Sequence, residues 1–224
     1  MYQRWEHLLF LHWPVDRQAI QSTLPPGLHV DLHEGTAWLG IVPFAMRGVR
    51  PAGLPAVGPV SNFLELNVRT YVHDDRGVPG VWFYSLDCNQ PLAVVIAQTL
   101  FRLPYRHATM HARFGRAIHY ESTRRGTGTA ARYVWEPDGE PRTAPAGSLE
   151  YFLLERYHLY AARGGKLYRG TVVHEPYQFR SAGLREFSTV PAALDGFAGL
   201  KTEPRHICHA DKVDVRILAL HKVS

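Results

Sequence analysis

Cysteine is nearly absent from this chain. Cys88 and Cys208 are the two cysteines in 224 residues, too few for a disulfide framework. A reducing, cytoplasmic setting is therefore the default expectation. Lysine is almost as scarce: Lys166, Lys201, Lys212 and Lys222 are the four lysines, against 21 arginines. Long apolar runs are missing too. The longest, 91–101, is interrupted by Gln98 and Thr99. It is about half of the ~20 residues a membrane-spanning helix needs, so no membrane segment is expected. The first ten residues carry Arg4, Glu6 and His7 among apolar ones, which speaks against the apolar core of a secretory signal. There is no internal repeat, no low-complexity tract and no strong linker. A single domain over 1–224 is the expectation.

Several catalytic signatures are also lacking. Ser85 has no G-x-S-x-G elbow around it. Gly126-Thr127-Gly128 does not stand between a strand and a helix, so no phosphate-cradling loop is expected there. Neither cysteine lies in a nucleophile context. His206-Ile207-Cys208-His209 brings three metal-ligating side chains together, but the spacing matches no standard zinc arrangement and a fourth ligand is not evident. No metal and no other cofactor is expected.

What is present is aromatic and strand-forming. Hydrophobic residues make up 46%, and aromatics 12% with five Trp and eleven Tyr, which suits strands and pocket walls. Strands are predicted at 6–13, 28–32, 36–50, 61–73, 81–89, 105–113, 117–124, 130–136, 157–163 and 166–177, with closing strands near 203–210 and 212–222. Pro43 inside 36–50 implies an edge or a bulge. Asp16 is a good helix N-cap, with Val15 and Ile20 at staple spacing. A second helix opens at Pro91 and runs to about residue 102, and a third starts after Ser148. Residues 51–60 and 136–147, rich in Pro and Gly, read as loops. The fold class is mainly β with a few short helices, an antiparallel barrel or sandwich with helical plugs.

The most informative segment is 62–72. Its even positions, Leu64, Leu66, Val68 and Val72, are apolar apart from Thr70. Its odd positions are Phe63, Glu65, Asn67, Arg69 and Tyr71. Successive strand side chains point to opposite faces, so one face carries an acid, an amide and a guanidinium between two aromatic rings. If the turn to the next strand centres on Gly77, Asn67 faces Asp87, Arg69 faces Ser85 and Glu65 faces Asn89, giving one polar patch two strands wide. A slip of one residue would undo that set. The face is either a solvated surface with ordinary cross-strand pairs or the lining of a barrel interior, where buried charges shift their pKa values.

Charge is unevenly spread. Residues 102–132 hold seven arginines against one acid, Glu121. This stretch is either a solvated surface or a face for an anionic partner. Nothing in it matches a nucleic-acid module, and no nucleic acid is expected.

Several stretches resemble the YqjF-like family of uncharacterised bacterial proteins. They are Leu24-Pro25-Pro26-Gly27-Leu28, Gly35-Thr36-Ala37-Trp38-Leu39-Gly40 with Val42-Pro43-Phe44, and Glu65-Leu66-Asn67-Val68-Arg69-Thr70-Tyr71-Val72. Pro79-Gly80-Val81-Trp82-Phe83-Tyr84-Ser85-Leu86-Asp87 and Leu103-Pro104-Tyr105 complete them. The resemblance covers nearly the whole chain. That family is in turn distantly similar to acetoacetate decarboxylase. The resemblance implies a closed, mixed barrel-like sheet with a polar pocket inside. In that enzyme a neighbouring cation lowers the pKa of the Schiff-base lysine. Here Tyr105 stands where the lysine would be and Arg106 where its cationic neighbour would be, and Glu65 takes the place of a pocket glutamate. A phenol forms no imine, so Schiff-base decarboxylation is put in doubt.

The expected partner is a small organic acid or carbonyl compound. Glu65 would act as acid/base, Tyr105 as hydrogen-bond donor, and Arg69 or Arg106 would hold a carboxylate. Asn67, Ser85, Asp87, Phe63 and Tyr71 would complete the site. The protein is read as an enzyme on such a compound, or as a non-catalytic module that senses or stores it. An anionic partner on 102–132 is a further alternative. Homo-oligomerisation stays open.

Overall fold

A computed structural model describes residues 1–96, 103–200 and 202–223. In chain order the described elements are β1 (Tyr2–Val15), α1 (Arg17–Gln21), β2 (Leu28–Val30), β3 (Ala37–Arg50), α2 (Gly58–Ser61), β4 (Phe63–Asp74), β5 (Pro79–Cys88) and α3 (Pro91–Ile96). Then come β6 (Tyr105–Arg113), β7 (Ile118–Arg124), β8 (Ala130–Arg142), α4 (Leu149–Leu154), β9 (His158–Arg163), β10 (Lys166–His174), β11 (Phe179–Glu186), α5 (Val190–Leu194), β12 (His206–Ile217) and β13 (His221–Lys222).

The strands form one sheet in the order β13-β10-β9-β5-β6-β7-β8-β11-β12-β1-β3-β4-β2. Neighbours are antiparallel except that β5 runs parallel to β6 and to β9. Two additional pairings, β4 with β5 and β10 with β12, fold this sheet back on itself. The pairings therefore lead from β5 back to β5 by two routes. One passes through β6, β7, β8 and β11, the other through β9 and β10, and both continue through β12, β1, β3 and β4. β5 serves both routes by splitting its length: Val81 and Trp82 pair with Leu159 and Tyr160, while Leu86, Asp87 and Cys88 pair with Tyr105, Arg106 and His107. β12 divides likewise between β10 and β11.

Five strands are thus a wall with a core on each side. In β4 the odd residues Phe63 and Tyr71 belong to one apolar cluster and the even residues Leu64, Leu66 and Val68 to the other. In β3, Trp38, Val42, Phe44 and Met46 face the first cluster, and Leu39, Ile41 and Ala45 the second. In β1, Trp5 packs on the first cluster and so do Leu8 and Phe10. That change of parity occurs around His7, which has φ 54°, where β1 gains one residue on β3 between Glu6↔Ala45 and Leu11↔Ile41, as a bulge requires. The expected mainly β, barrel-like mixed sheet with short helices is what forms.

Local signals behave as their chemistry dictates. Asp16 caps α1, its side chain accepting from the Ala19 amide at 2.8 Å. Ser148 caps α4 in the same way. Gly164 and Gly165, at φ 57° and 69°, make the turn between β9 and β10. β3 is not an edge strand, since it pairs with both β1 and β4. The Pro43 signal is a bulge instead: the β1 ladder lapses between Glu6↔Ala45 and Leu11↔Ile41, and the missing N–H falls in that gap.

Other expectations are corrected. β8 extends to Arg142 through most of the stretch read as a loop. β12 is one strand where two were expected. Within 51–60 and just beyond it, Gly58–Ser61 is a helical turn. β11 and α5 carried no clear signal. The second predicted helix is described over Pro91–Ile96, and its expected remainder, 97–102, lies outside the described residues.

Candidate functional site

Glu65 sits at the centre of the shared wall, with Phe44 opposite on β3 and Cys88 opposite on β5. It is 3% exposed. Tyr105 opens β6 directly after Leu103-Pro104, in parallel register with Leu86, and its hydroxyl donates to Glu65 Oε2 at 2.7 Å. Burial pushes the Glu65 carboxyl up to about 7, with the Tyr105 hydrogen bond pulling the other way. Burial and the adjacent Glu65 hold the Tyr105 hydroxyl well above its ordinary range, so near neutral pH it remains a donor. From the opposite side of the wall Tyr120 donates to the Glu65 backbone carbonyl at 2.7 Å, which fixes β4 at this point.

Four residues along β4, Arg69 is also buried, at 7% exposure. Its Nη2 donates to the Leu153 carbonyl at 3.1 Å and to the Tyr71 hydroxyl at 3.3 Å. The guanidinium lies 5.4 Å from the Phe10 ring centre and 5.5 Å from that of Tyr71, a cation–π setting. Among the described residues its Nε has no hydrogen-bond partner and no carboxylate lies within salt-bridge distance of it. Arg156, the neighbouring guanidinium, is neutralised by Asp31 at 2.6 Å and donates to the Phe152 carbonyl at 2.6 Å.

Behind Arg69 a buried chain of neutral groups continues. His12 Nε2 lies 2.7 Å from the Tyr71 hydroxyl, and His12 Nδ1 lies 2.9 Å from His206 Nδ1. Arginine can only donate. The arrangement that leaves no buried donor idle has Arg69 donating to Tyr71, Tyr71 to His12 Nε2, and His12 Nδ1 to His206. Burial, His206 and Arg69 together keep His12 well below the usual imidazole range, and burial takes His206 down to about 4. None of these groups supplies a negative charge, so Arg69 remains uncompensated. Gly40 makes the close packing here feasible: a Cβ on it would stand 3.1 Å from His12 Cδ2 and 3.5 Å from Arg69 Cγ.

A cavity of about 220 Å³ lies on this side of the wall, bordered by Phe63, Glu65, Asn67, Arg69, Tyr105 and Arg156 and otherwise by mostly apolar side chains. Half-buried Arg50 also borders it, and exposed Pro51 and Val60 mark its mouth. The structure therefore brings Phe63, Glu65, Asn67, Arg69 and Tyr105 to one cavity. Tyr71 stands behind Arg69 without lining it. No lysine borders it among the described residues.

Three of the sequence-predicted residues lie elsewhere. The expected hairpin register is corrected by one residue: Glu65 pairs with Cys88 and Asn67 with Leu86, and after a shift between Val68 and Arg69, Arg69 pairs with Phe83. Ser85 and Asp87 pair with Val68 and Leu66 and so face the other core. There Arg124 donates to Asp87 at 2.7 Å, to Ser85 at 2.6 Å and to Asp195 at 2.8 Å, while Ser85 also donates to Asp195. Burial raises Asp87 to about 6, against the pull of Arg124. Arg106 alternates with Tyr105 and is exposed, in register with Asp87, whose ionised form it favours, and away from the cavity. The sequence reading missed His12, Asp31, Arg156 and Asp195. Each is brought in by a contact between distant segments and has no local pattern around it.

Of the 102–132 arginines, Arg116, Arg124 and Arg132 are paired with carboxylates, and Arg102 lies outside the described residues. His206 and His209 point to opposite faces of β12, His206 toward His12 and His209 toward Trp135.

This double circuit of strands is an acetoacetate decarboxylase-like fold. The chain superposes over its full length on 90% of the enduracididine biosynthesis enzyme MppR complexed with pyruvate, with TM-score 0.69 and 14% identity. It superposes with TM-score 0.65 and 10% identity on 88% of acetoacetate decarboxylase from Legionella pneumophila. For an acetoacetate decarboxylase-like enzyme from Sphingomonas wittichii RW1 the TM-score is 0.66, at 13% identity over 92% of that chain. The chain belongs to the DUF2071 family of uncharacterised conserved proteins, whose family model matches residues 2–214. It is 37% identical over 226 residues, spanning all of this chain and 93% of the relative, to the uncharacterised protein YqjF of Bacillus subtilis strain 168.

Proposed function

We propose that this cavity binds a small organic acid or carbonyl compound and that Glu65 serves it as general acid/base. The observation that carries this reading is a buried carboxyl near pH 7, 2.7 Å from a phenol that stays protonated, in one cavity with an uncompensated guanidinium. A general acid/base works best with a pKa near the working pH, and a buried cation without a counter-charge favours an anionic ligand. Glu65 would give a proton to, or take one from, the atom next to the ligand's carbonyl. Tyr105 would keep the carboxyl oriented, and Arg69 would hold the acid group. Arg106, exposed beside Asp87 and not on the cavity lining, has no part in this reading. The enzymes of similar fold, including one complexed with pyruvate, support a carbonyl-bearing ligand by analogy of fold. Imine formation is not part of the proposal, because Tyr105 offers no amine.

The test is incubation of the purified protein with a panel of 2- and 3-oxo acids and their esters, followed by NMR of the solution, with Glu65→Gln alongside. Substrate turnover that falls by about 10²–10⁴-fold in the variant supports an acid/base role. Tight binding with no product points to a sensing or storage module. Binding and turnover indifferent to Glu65→Gln would sink the reading.

A further inference from the structure

The lining also constrains the body of the ligand, provided that the cavity is a ligand pocket as just read. Two side chains on one face of β4 hold unused hydrogen-bonding capacity. Arg69 Nε and Asn67 Oδ1 are both buried and, among the described residues, without a partner, on residues 7% and 5% exposed. Asn67 and Arg69 are two residues apart, hence adjacent on that face, and both border the cavity. Buried polar groups are normally satisfied, so these two mark where a ligand's polar end belongs. Arg156 asks for nothing, since Asp31 already neutralises it.

The rest of the wall is of the opposite character. Val42, Phe44, Phe63, Leu103, Leu154 and Val172 are among its sides, and each is buried. A volume of about 220 Å³ accommodates on the order of ten non-hydrogen atoms, given ~30 Å³ per water and closer packing of bonded atoms. A compact acid such as pyruvate would leave most of the apolar wall against trapped water. Arg50, the other guanidinium on the lining besides Arg156, is half-buried, donates to the Gly48 carbonyl and acts on Asp214, so a dianion would bring one charge more than the buried Arg69 can neutralise. A neutral ligand would leave the guanidinium uncompensated.

We propose that the ligand is a monocarboxylate with an apolar branched-chain or aryl body. Its carboxylate rests on Arg69, with the Asn67 amide turned so that its nitrogen donates to the same group, and its carbon skeleton lies against the aliphatic and aromatic wall.

Calorimetric titration of the full chain at pH 6.5 tests this with 3-phenylpropanoate, 4-methylpentanoate, pyruvate, 3-phenylpropanamide and phenylsuccinate. The two apolar monocarboxylates are expected to bind about 30-fold or more tighter than pyruvate, from the extra apolar surface buried. Phenylpropanoate should exceed its amide by a similar factor, and phenylsuccinate should gain nothing from its second charge. Arg69→Met should lose about 30-fold or more for the acid and leave the amide within about threefold. Should that variant not fold, the acid–amide pair on the unaltered chain decides. Pyruvate or the amide binding equally well, phenylsuccinate binding about tenfold tighter, or no member binding at all would each overturn the proposal. These readouts do not involve Glu65. Loss of the acid/base reading through Glu65→Gln, and loss of this ligand class, are therefore separate outcomes.

Discussion

Two influences of opposite sign meet at the Glu65 carboxyl, burial raising its pKa and the Tyr105 hydroxyl lowering it. Tyr105→Phe removes the second alone. The Glu65 midpoint should then rise above about 7, seen as a shift of its side-chain carboxyl carbon in a pH series by NMR. A midpoint that stays or falls would mean that the hydrogen bond does not act on the ionised form. Gly40 offers a second test. A methyl there meets His12 and Arg69, so Gly40→Ala should cost about 1–3 kcal/mol in urea unfolding and weaken any anion bound at Arg69. At this scale the sequence is informative only where side chains alternate on one strand. Glu65, Asn67 and Arg69 were legible because β4 presents them in period two. His12 meets Tyr71 across 59 residues, and Arg156 meets Asp31 across 125, separations that no local pattern encodes.

Among the elements, β4 and β5 show how a correct hairpin can hide an incorrect pairing. The strands and their turn were readable from composition, yet the register was not, since it depends on a shift between Val68 and Arg69 inside the ladder. One residue of slip moved Ser85 and Asp87 from the cavity to the Arg124 cluster. β1 and β3 were likewise visible as strands, but their apolar residues run nearly continuously and carry no face, as expected when both sides are buried. The seam between β5 and β9 is the most sensitive joint. A Cβ on Gly80 would lie 2.8 Å from the His158 carbonyl and 2.8 Å from the Tyr160 ring. Gly80→Ala should therefore cost about 1–3 kcal/mol or more. Amide exchange should speed up along β9 and β10 more than along β6 and β7.

Over the whole molecule, protonation sets a balance between imidazoles and acids. His7, His12, His158, His174, His206 and His209 are all held below their ordinary range chiefly by burial. The unfolded chain takes up those protons near pH 6.5 while the folded chain does not, so stability falls as pH drops from about 6.5 toward 4. Glu65 and Asp87, raised to about 7 and about 6, act in reverse, since the folded chain binds their protons first. Six groups outweigh two, and the urea midpoint should be lower at pH 5 than at pH 7. An unchanged or higher midpoint at pH 5 would contradict the buried neutral state of these histidines. The five-strand wall has a consequence of another kind. Along β4 each residue serves one chamber or the other according to parity alone, so inserting or deleting one amino acid there would trade Glu65, Asn67 and Arg69 for Leu64, Leu66 and Val68. Chemistry in this architecture can be retuned by exchanging side chains, but its central strands cannot change length by a single residue without turning the site inside out.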